Sequence, residues 1–155
     1  MHRAIDKFTD EDQDVRKLNR LIAKRHGRYA GVVSDIGFDY FLWRNWEVYG
    51  PGDFSDFTRT TYQGLFAHRE HMSDRVKGYV DGMVKDDWLR LYTSLTGMHQ
   101  VYHRLRPRLS RPEQLDGIEH LLVDFEEEFN QTFLLLFPRL QALANAYRPN
   151  SANSN

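Results

Sequence analysis

Apolar residues recur every three or four positions along most of the chain, which is the spacing of the buried face of an α-helix. We therefore predict a first helix that begins with Thr9 as its N-cap and ends at His26-Gly27, because glycine tolerates the left-handed backbone that follows many helices. A second helix is predicted from about Tyr29 to Tyr49, stopping before the helix-breaking sequence Gly50-Pro51-Gly52.

The rest of the chain continues the same pattern. Residues 53–68 predict a third helix, Ser73-Asp74 caps a fourth, and residues 86–92 form a short fifth that Thr96-Gly97 should end. The longest predicted helix starts at Pro112-Glu113, and Pro138 should kink or break it. Its buried face would consist of seven apolar residues: Leu115, Ile118, Leu122, Phe125, Phe129, Phe133 and Leu136.

These patterns define the expected fold class. The sequence contains no convincing strand pair, internal repeat or glycine-rich phosphate loop, so we predict an all-α bundle of about seven helices. One domain should cover residues 1–147, followed by a disordered tail at 148–155 that is rich in Pro, Asn and Ser.

Composition narrows the functional classes. A chain of 155 residues with 41% hydrophobic residues can bury a real core. Its formal net charge of −1 gives no overall field for nucleic acid, and its lack of cysteine removes thiolate metal sites. No apolar run approaches the roughly 20 residues that span a bilayer, and no signal peptide is apparent. We expect a cytoplasmic protein that binds neither nucleic acid nor membrane.

Two stretches of sequence carry acids at helical spacing. His2, Asp6 and Asp10 are each four residues apart, and so are Asp35 and Asp39. Side chains four apart lie on one face of a helix, and such oxygen and nitrogen donors suit a hard divalent cation such as Mn²⁺ or Mg²⁺. The alternative is that these residues are helix caps and solvated side chains.

The second stretch strengthens the metal hypothesis. Asp35 and Asp39 share a helical stripe with Leu42 and Trp46. A carboxylate that is buried without a partner is costly, and a metal or a basic partner would remove that cost. If the stripe instead lies at the edge of the buried face, both acids are simply hydrated.

A basic segment follows the middle of the chain. It contains four arginines within eight residues, which could recognise an anionic partner through their planar guanidinium groups: Arg104, Arg106, Arg108 and Arg111. Alternatively, these cations mark a solvated helix end, where they would favour the C-terminal dipole.

The chain resembles the acyl carrier protein phosphodiesterases, or ACP hydrolases, a family grouped with the HD-type metal-dependent phosphohydrolases. The likeness covers almost the whole chain up to the tail, and its first two motifs are specific in combination. The motifs are His2-Arg3-x-Ile5-Asp6-x-Phe8-Thr9-Asp10, Tyr29-Ala30-Gly31 leading into Asp35-x-x-x-Asp39-x-Phe41-Leu42-x-x-x-Trp46, Trp88-Leu89-x-x-Tyr92, Gly97-Met98 with Arg104, and Phe137-Pro138-Arg139-Leu140.

The resemblance implies a reaction and a set of site residues. The reaction is the hydrolysis of 4′-phosphopantetheine from holo-acyl carrier protein, with a divalent metal, usually Mn²⁺, as cofactor. The implied metal ligands are His2, Asp6, Asp10, Asp35 and Asp39, and the implied catalytic residues are Asp39, Asp35 and His2. The acidic carrier protein would dock on Arg104, Arg106, Arg108 and Arg111, and on the basic face of the first helix around Arg20.

Two departures from the family pattern affect these expectations. Family members carry a segment before the His-Arg motif with a Met-Asn-x-Leu-Ala-His pattern and a Gly-Asn-x-x-x-Asp motif. This sequence starts at the His-Arg motif, so we expect part of the metal site and one core helix to be missing, whether through an internal start at Met1 or through a truncated gene. In addition, Tyr40 stands where relatives commonly have histidine.

Two other functions remain open from the sequence. One is an HD-like phosphohydrolase that acts on a small phosphate ester. The other is a non-catalytic helical module that binds acyl carrier protein or another acidic partner through its arginines.

Overall fold

The computed structural model describes residues 2–148, with His2 described through its backbone alone. All regular secondary structure in this range is helical, so the all-α prediction is confirmed. The described range contains seven helices of ten residues or more: α1 His2–Glu11, α2 Gln13–His26, α3 Ala30–Arg44, α5 Phe54–Ala67, α6 Asp74–Lys85, α8 Leu95–Leu105 and α10 Glu126–Ala146. The four-residue helices α4 Trp46–Tyr49, α7 Trp88–Leu91 and α9 Leu121–Asp124 lie between them.

The helices form two compact units. The first contains the described parts of Met1–Phe38 and Glu113–Asn155, and the second is Asp39–Pro112. Helix α3 therefore contributes its first part to one unit and its last part to the other. In the first unit, α10 packs against α1 and α2. Its core consists of fully buried side chains that include Val15, Leu18, Ile22, Val33, Leu115, Leu121, Phe129 and Leu136.

The second unit has a smaller core. Phe41, Met98 and Tyr102 are completely buried there, and Val80 of α6 is nearly so. No helix in the described part of the chain is both long and apolar enough to cross a membrane. The tail predicted for residues 148–155 lies outside the described residues except for Arg148.

The predicted cap at Thr9 is wrong. Residues 2–11 already form α1, and Asp12 caps the separate helix α2. Asp12 has extended backbone angles, and its carboxylate accepts hydrogen bonds from the backbone N–H groups of Asp14 at 2.9 Å and Val15 at 3.2 Å. Aspartate satisfies two N–H groups that have no partner inside the helix, which is why it ends one helix and starts the next.

The predicted break at Gly97 is also wrong. Ser94 caps α8, and Gly97 lies in its first turn. A Cβ atom at position 97 would lie only 2.0 Å from the carbonyl oxygen of Leu91. Glycine is required here because the backbones of α7 and α8 approach each other closely at this point, a tertiary constraint that the sequence pattern does not reveal.

The long helix predicted from Pro112 is interrupted. Two 3-10 turns and α9 precede α10, and Gly117, with a left-handed φ of +78°, is the N-cap of the second turn. The predicted break at Pro138 is absent, since α10 continues through it to Ala146. Pro138 lies on the exposed face of α10, where water can hydrate the carbonyl that proline leaves without a donor.

The apolar face predicted for this region is largely confirmed. Six of its seven residues are buried, and the exception, Phe125, is partly covered by the guanidinium of Arg25 at 4.7 Å from its ring. The helix predicted from about Tyr29 to Tyr49 is confirmed with one interruption at Asn45, which separates α3 from α4. The end of α2 at His26, with Gly27 at φ +55°, is confirmed as predicted.

Candidate active site

Helices α1 and α3 bring three of the predicted ligands into one electrostatic environment in the first unit. Asp6 and Asp10 lie one turn apart on α1, and Asp35 lies on α3. All three residues are exposed. The charges of Asp10 and Asp6 both act on Asp35, so the acids that the sequence places in two separate motifs are neighbours in the fold.

Close packing on the buried face of α3 fixes the position of the helix that carries Asp35. Val33 and Ser34 are fully buried, and the Ser34 hydroxyl donates a hydrogen bond to the Gly31 carbonyl at 2.9 Å. A Cβ atom at Gly37 would lie 2.7 Å from the ring of Phe129. Glycine therefore allows α3 to approach α10 closely, which leaves the opposite face of α3, with Asp35, at the surface.

The environment of Asp35 disfavours its negative charge. Although the residue remains exposed, the protein around its carboxylate removes part of its hydration, and Asp10 and Asp6 add like charges. Together these effects raise the pKa of Asp35 from 3.8 to about 6, with desolvation as the largest cause. A carboxyl group with a strongly raised pKa among other acids is typical of functional sites.

Asp39, one turn after Asp35 on α3, has different neighbours. It belongs to the second unit, where its charge raises the pKa of the Tyr92 and Tyr102 hydroxyl groups, after the larger effect of their burial. Tyr102 is fully buried, whereas Asp39 is exposed. Tyr92 belongs to the Trp88-Leu89-x-x-Tyr92 motif, so a sequence signal for this residue existed, but no pattern in the sequence connects it with Asp39.

The donor atoms of this cluster suit a divalent metal ion, but the described side chains do not form a complete set of ligands. Asp6, Asp10 and Asp35 are hard oxygen donors that repel one another, and a divalent cation would relieve that repulsion. Within the described residues, however, no three His, Asp or Glu side chains are close enough together to hold a metal ion. The side chain of His2, the remaining predicted ligand in α1, lies outside the described residues.

Tyr40, which replaces the histidine expected from the resemblance, is a core residue. It is buried, and its ring lies edge-on to Phe41 with ring centroids 5.2 Å apart. The ring of Trp43 lies 6.1 Å away on the other side. Position 40 therefore contributes packing of aromatic rings in the second unit.

The predicted partner-binding arginines have different environments. Arg104 stacks over the Trp88 ring at 5.5 Å, and Arg106 donates a hydrogen bond to the Pro112 carbonyl at 3.2 Å. Arg108 and Arg111 are exposed in the same unit, and Arg20 is exposed on α2 in the other. The sequence missed one further feature near Arg108: Tyr79 of α6, which is hydrogen-bonded to Arg75, lies close enough to Arg108 to interact with it electrostatically.

The described residues define an all-α protein with a cluster of exposed carboxylates in its first unit. The family model described as acyl carrier protein phosphodiesterase matches residues 1–140. The chain therefore belongs to the acyl carrier protein phosphodiesterase family, a family of hydrolases.

Curated relatives support this assignment. The chain is 25% identical over 148 residues to the acyl carrier protein phosphodiesterase of Serratia proteamaculans (strain 568). It is 22% identical over 145 residues to the protein of that name from Yersinia pestis, and 26% identical over 153 residues to that from Salmonella agona (strain SL483). Each alignment covers 93% of this chain and 75% of the relative. No solved structure matches the chain.

Proposed function

We propose that this chain is a metal-dependent phosphodiesterase that removes 4′-phosphopantetheine from holo-acyl carrier protein. Water would cleave the ester bond between phosphorus and the serine oxygen of the carrier protein. The products would be apo-carrier protein, with a free serine hydroxyl, and 4′-phosphopantetheine. The observation that carries this proposal is the Asp6–Asp10–Asp35 cluster in a chain that matches the family model over residues 1–140.

Electrostatics explains why this site would need a cation. A phosphodiester is an anion, and three neighbouring carboxylates repel it. Asp6, Asp10 and Asp35 are expected to supply ligands together with other donors, since no three described His, Asp or Glu side chains are close enough to hold the ion by themselves. Mn²⁺ is the expected ion, with Mg²⁺ as the alternative. When bound, a divalent metal polarises phosphoryl oxygens and makes a coordinated water more acidic. His2 and Asp39 remain predicted ligands and catalytic residues.

The chain's own residues have the remaining roles. The packing of Gly37 against Phe129 holds α3, so that Asp35 faces the acids of α1 from a fixed backbone. With a rigid support of this kind, the free-energy cost of bringing like charges together is incurred when the chain folds and not during the reaction.

Mass spectrometry of holo-acyl carrier protein incubated with the purified chain tests the proposal directly. With Mn²⁺ we expect loss of the phosphopantetheine mass, and with EDTA no loss. The variant Asp35→Asn should slow the reaction on the order of 100-fold or more, because it removes a charge that the metal site needs. The matched control Asp86→Asn removes an exposed carboxylate in the second unit and should leave the rate unchanged.

The outcome separates the remaining alternatives. If the folded chain removes no phosphopantetheine but hydrolyses nucleotides or other small phosphate esters with Mn²⁺, the substrate assignment is wrong. If it binds the carrier protein without any metal-dependent turnover, the catalytic assignment is wrong.

A further inference from the structure

The outer face of α6 combines apolar and basic side chains at the surface. Val76 and Tyr79 are 42% and 41% exposed, so both present apolar surface to the solvent. Arg75 lies one turn before Tyr79 and forms a side-chain hydrogen bond with it. The 3-10 turn Arg106–Arg108 adds Arg108, whose charge also reaches the Tyr79 hydroxyl.

The basic side chains of this face are not neutralised. The two acids of α6 pair with other cations, since Asp74 contacts Lys77 at 3.6 Å and Asp81 accepts two hydrogen bonds from Arg69. Among the described residues, neither Arg75 nor Arg108 forms a salt bridge with a carboxylate.

The effect on Tyr79 shows the sign of the local potential. The hydrogen bond with Arg75, and then the positive charges of Arg75 and Arg108, lower the pKa of the Tyr79 hydroxyl. A surface that favours a phenolate also favours other anionic groups at the same place. The net charge of the whole chain is −1, so this positive potential is local and not a property of the protein as a whole.

The composition of the surface indicates the kind of partner. Protein interfaces combine an apolar and aromatic centre with a polar rim and are enriched in tyrosine and arginine. Two arginines are too few for nucleic acid, whose binding depends on neutralising many phosphates. An anionic membrane surface usually requires a larger basic cluster together with a larger apolar face.

We propose that Arg75, Val76, Tyr79 and Arg108 form a docking surface for an acidic surface of the protein substrate. Carboxylates of that surface would pair with the two arginines, while an apolar side chain beside them would contact Val76 and the Tyr79 ring. This inference rests on the proposed function in identifying the partner as the acyl carrier protein. It extends the predicted arginine segment onto α6, a helix that was not predicted to take part in binding.

Charge reversal tests the surface. We would measure the dissociation constant for fluorescently labelled holo-acyl carrier protein by anisotropy at low and high salt, for wild type, Arg75→Glu and Arg108→Glu. Each reversal should weaken binding by about tenfold or more, and the salt dependence should decrease, because an attraction becomes a repulsion. The control Arg90→Glu reverses an exposed arginine of α7 in the same unit and should bind like wild type.

Kinetics provides a second readout. With holo-acyl carrier protein, both reversals should raise KM at nearly unchanged kcat, as expected when binding distant from the reacting bond is lost. Hydrolysis of bis(p-nitrophenyl) phosphate, a small phosphodiester without a protein part, should be unaffected. Tyr79→Phe keeps the ring and removes only the hydroxyl, so its effect should be less than about threefold. Circular dichroism and thermal melting confirm that each variant is folded.

The possible outcomes separate this inference from the proposed function. If wild type binds the carrier protein, the reversals weaken binding and no turnover occurs, the docking surface is supported and the proposed function is not. Unchanged binding by Arg75→Glu and Arg108→Glu would overturn the surface even if the enzyme is active. An equal loss in Arg90→Glu would also overturn it, and so would binding to anionic vesicles or single-stranded DNA in place of the carrier protein.

Discussion

Replacing Asp35 with asparagine should make the protein more stable at neutral pH while it inactivates the enzyme. Asparagine keeps the size and much of the shape of aspartate but carries no charge. The folded protein disfavours the Asp35 carboxylate through partial desolvation and through Asp10 and Asp6. In the unfolded chain, water hydrates that carboxylate freely, so the charge costs free energy only in the folded state.

The shift in pKa sets an upper limit for the gain. A rise from 3.8 to about 6 corresponds to about 3 kcal/mol at 1.36 kcal/mol per pKa unit. Asp35 is exposed, and solvent screening reduces such interactions strongly, so we expect a gain of roughly 1 kcal/mol for Asp35→Asn.

The direction of the pKa shift determines how the stability advantage of Asp35→Asn changes with pH. Because the pKa of Asp35 is higher in the folded state, the folded protein binds the proton more tightly than the unfolded chain does. Below about pH 4, Asp35 is protonated and its carboxyl group does not destabilise the folded state. As the pH rises towards 6, the stabilisation that the protonated form provides is lost. The stability advantage of the variant should therefore be near zero at pH 4, increase up to about pH 6 and remain constant above it.

Urea unfolding in the presence of EDTA, followed by circular dichroism across this pH range, measures the advantage. Asp86→Asn is the control, since it removes an exposed carboxylate away from the cluster and should give no comparable increase between pH 4 and 6. An Asp35→Asn variant that is less stable than wild type at pH 7.5, or whose gain does not depend on pH, would refute the electrostatic account of the site.

Two further predictions concern the supports of the site. Gly37→Ala should destabilise the protein by about 1–3 kcal/mol, because its Cβ would overlap the Phe129 ring; Gly64→Ala, with open space around it, should stabilise α5 by about 0.5–1 kcal/mol. Urea unfolding of the two variants measures both changes in the free energy of unfolding, and equal changes would contradict the packing argument. Arg139→Met should lower the melting temperature, since it leaves the buried Asp12 carboxylate without its 2.7 Å partner; a melting temperature equal to that of wild type would contradict this.

The spacing of apolar residues correctly predicted helical segments where the only requirement is that one face is buried. Six of the seven apolar residues from Leu115 to Leu136 were correctly predicted to be buried, because apolar residues at helical spacing mark a buried face even where the helix is interrupted. The boundaries around Asp12, Gly97 and Gly117 were missed because they depend on a side-chain cap, a backbone contact and a left-handed turn. These are local or tertiary features that periodicity does not register.

The candidate site was predicted by spacing only in part. Four-residue intervals correctly placed Asp6 and Asp10 on one helix and Asp35 and Asp39 on another. Spacing could not reveal that the two pairs differ in environment, because the neighbours of Asp35 come from α1 and those of Asp39 from residues more than fifty positions later. Contacts between distant segments depend on packing, which a single sequence does not show.

The acidic residues of this fold differ in whether a cation lies next to them, and this difference supports the proposed position of the site. Asp12 is buried and has Arg139, and Asp81 has Arg69, so the protein pairs these acids with cations. Asp35 instead faces Asp10 and Asp6, and no cation among the described residues lowers its pKa. A sequence selected for stability alone could remove this repulsion with a single substitution. Its presence beside acids that do have cationic partners is the pattern expected where stability is given up for binding a positively charged ligand, which supports the proposed site.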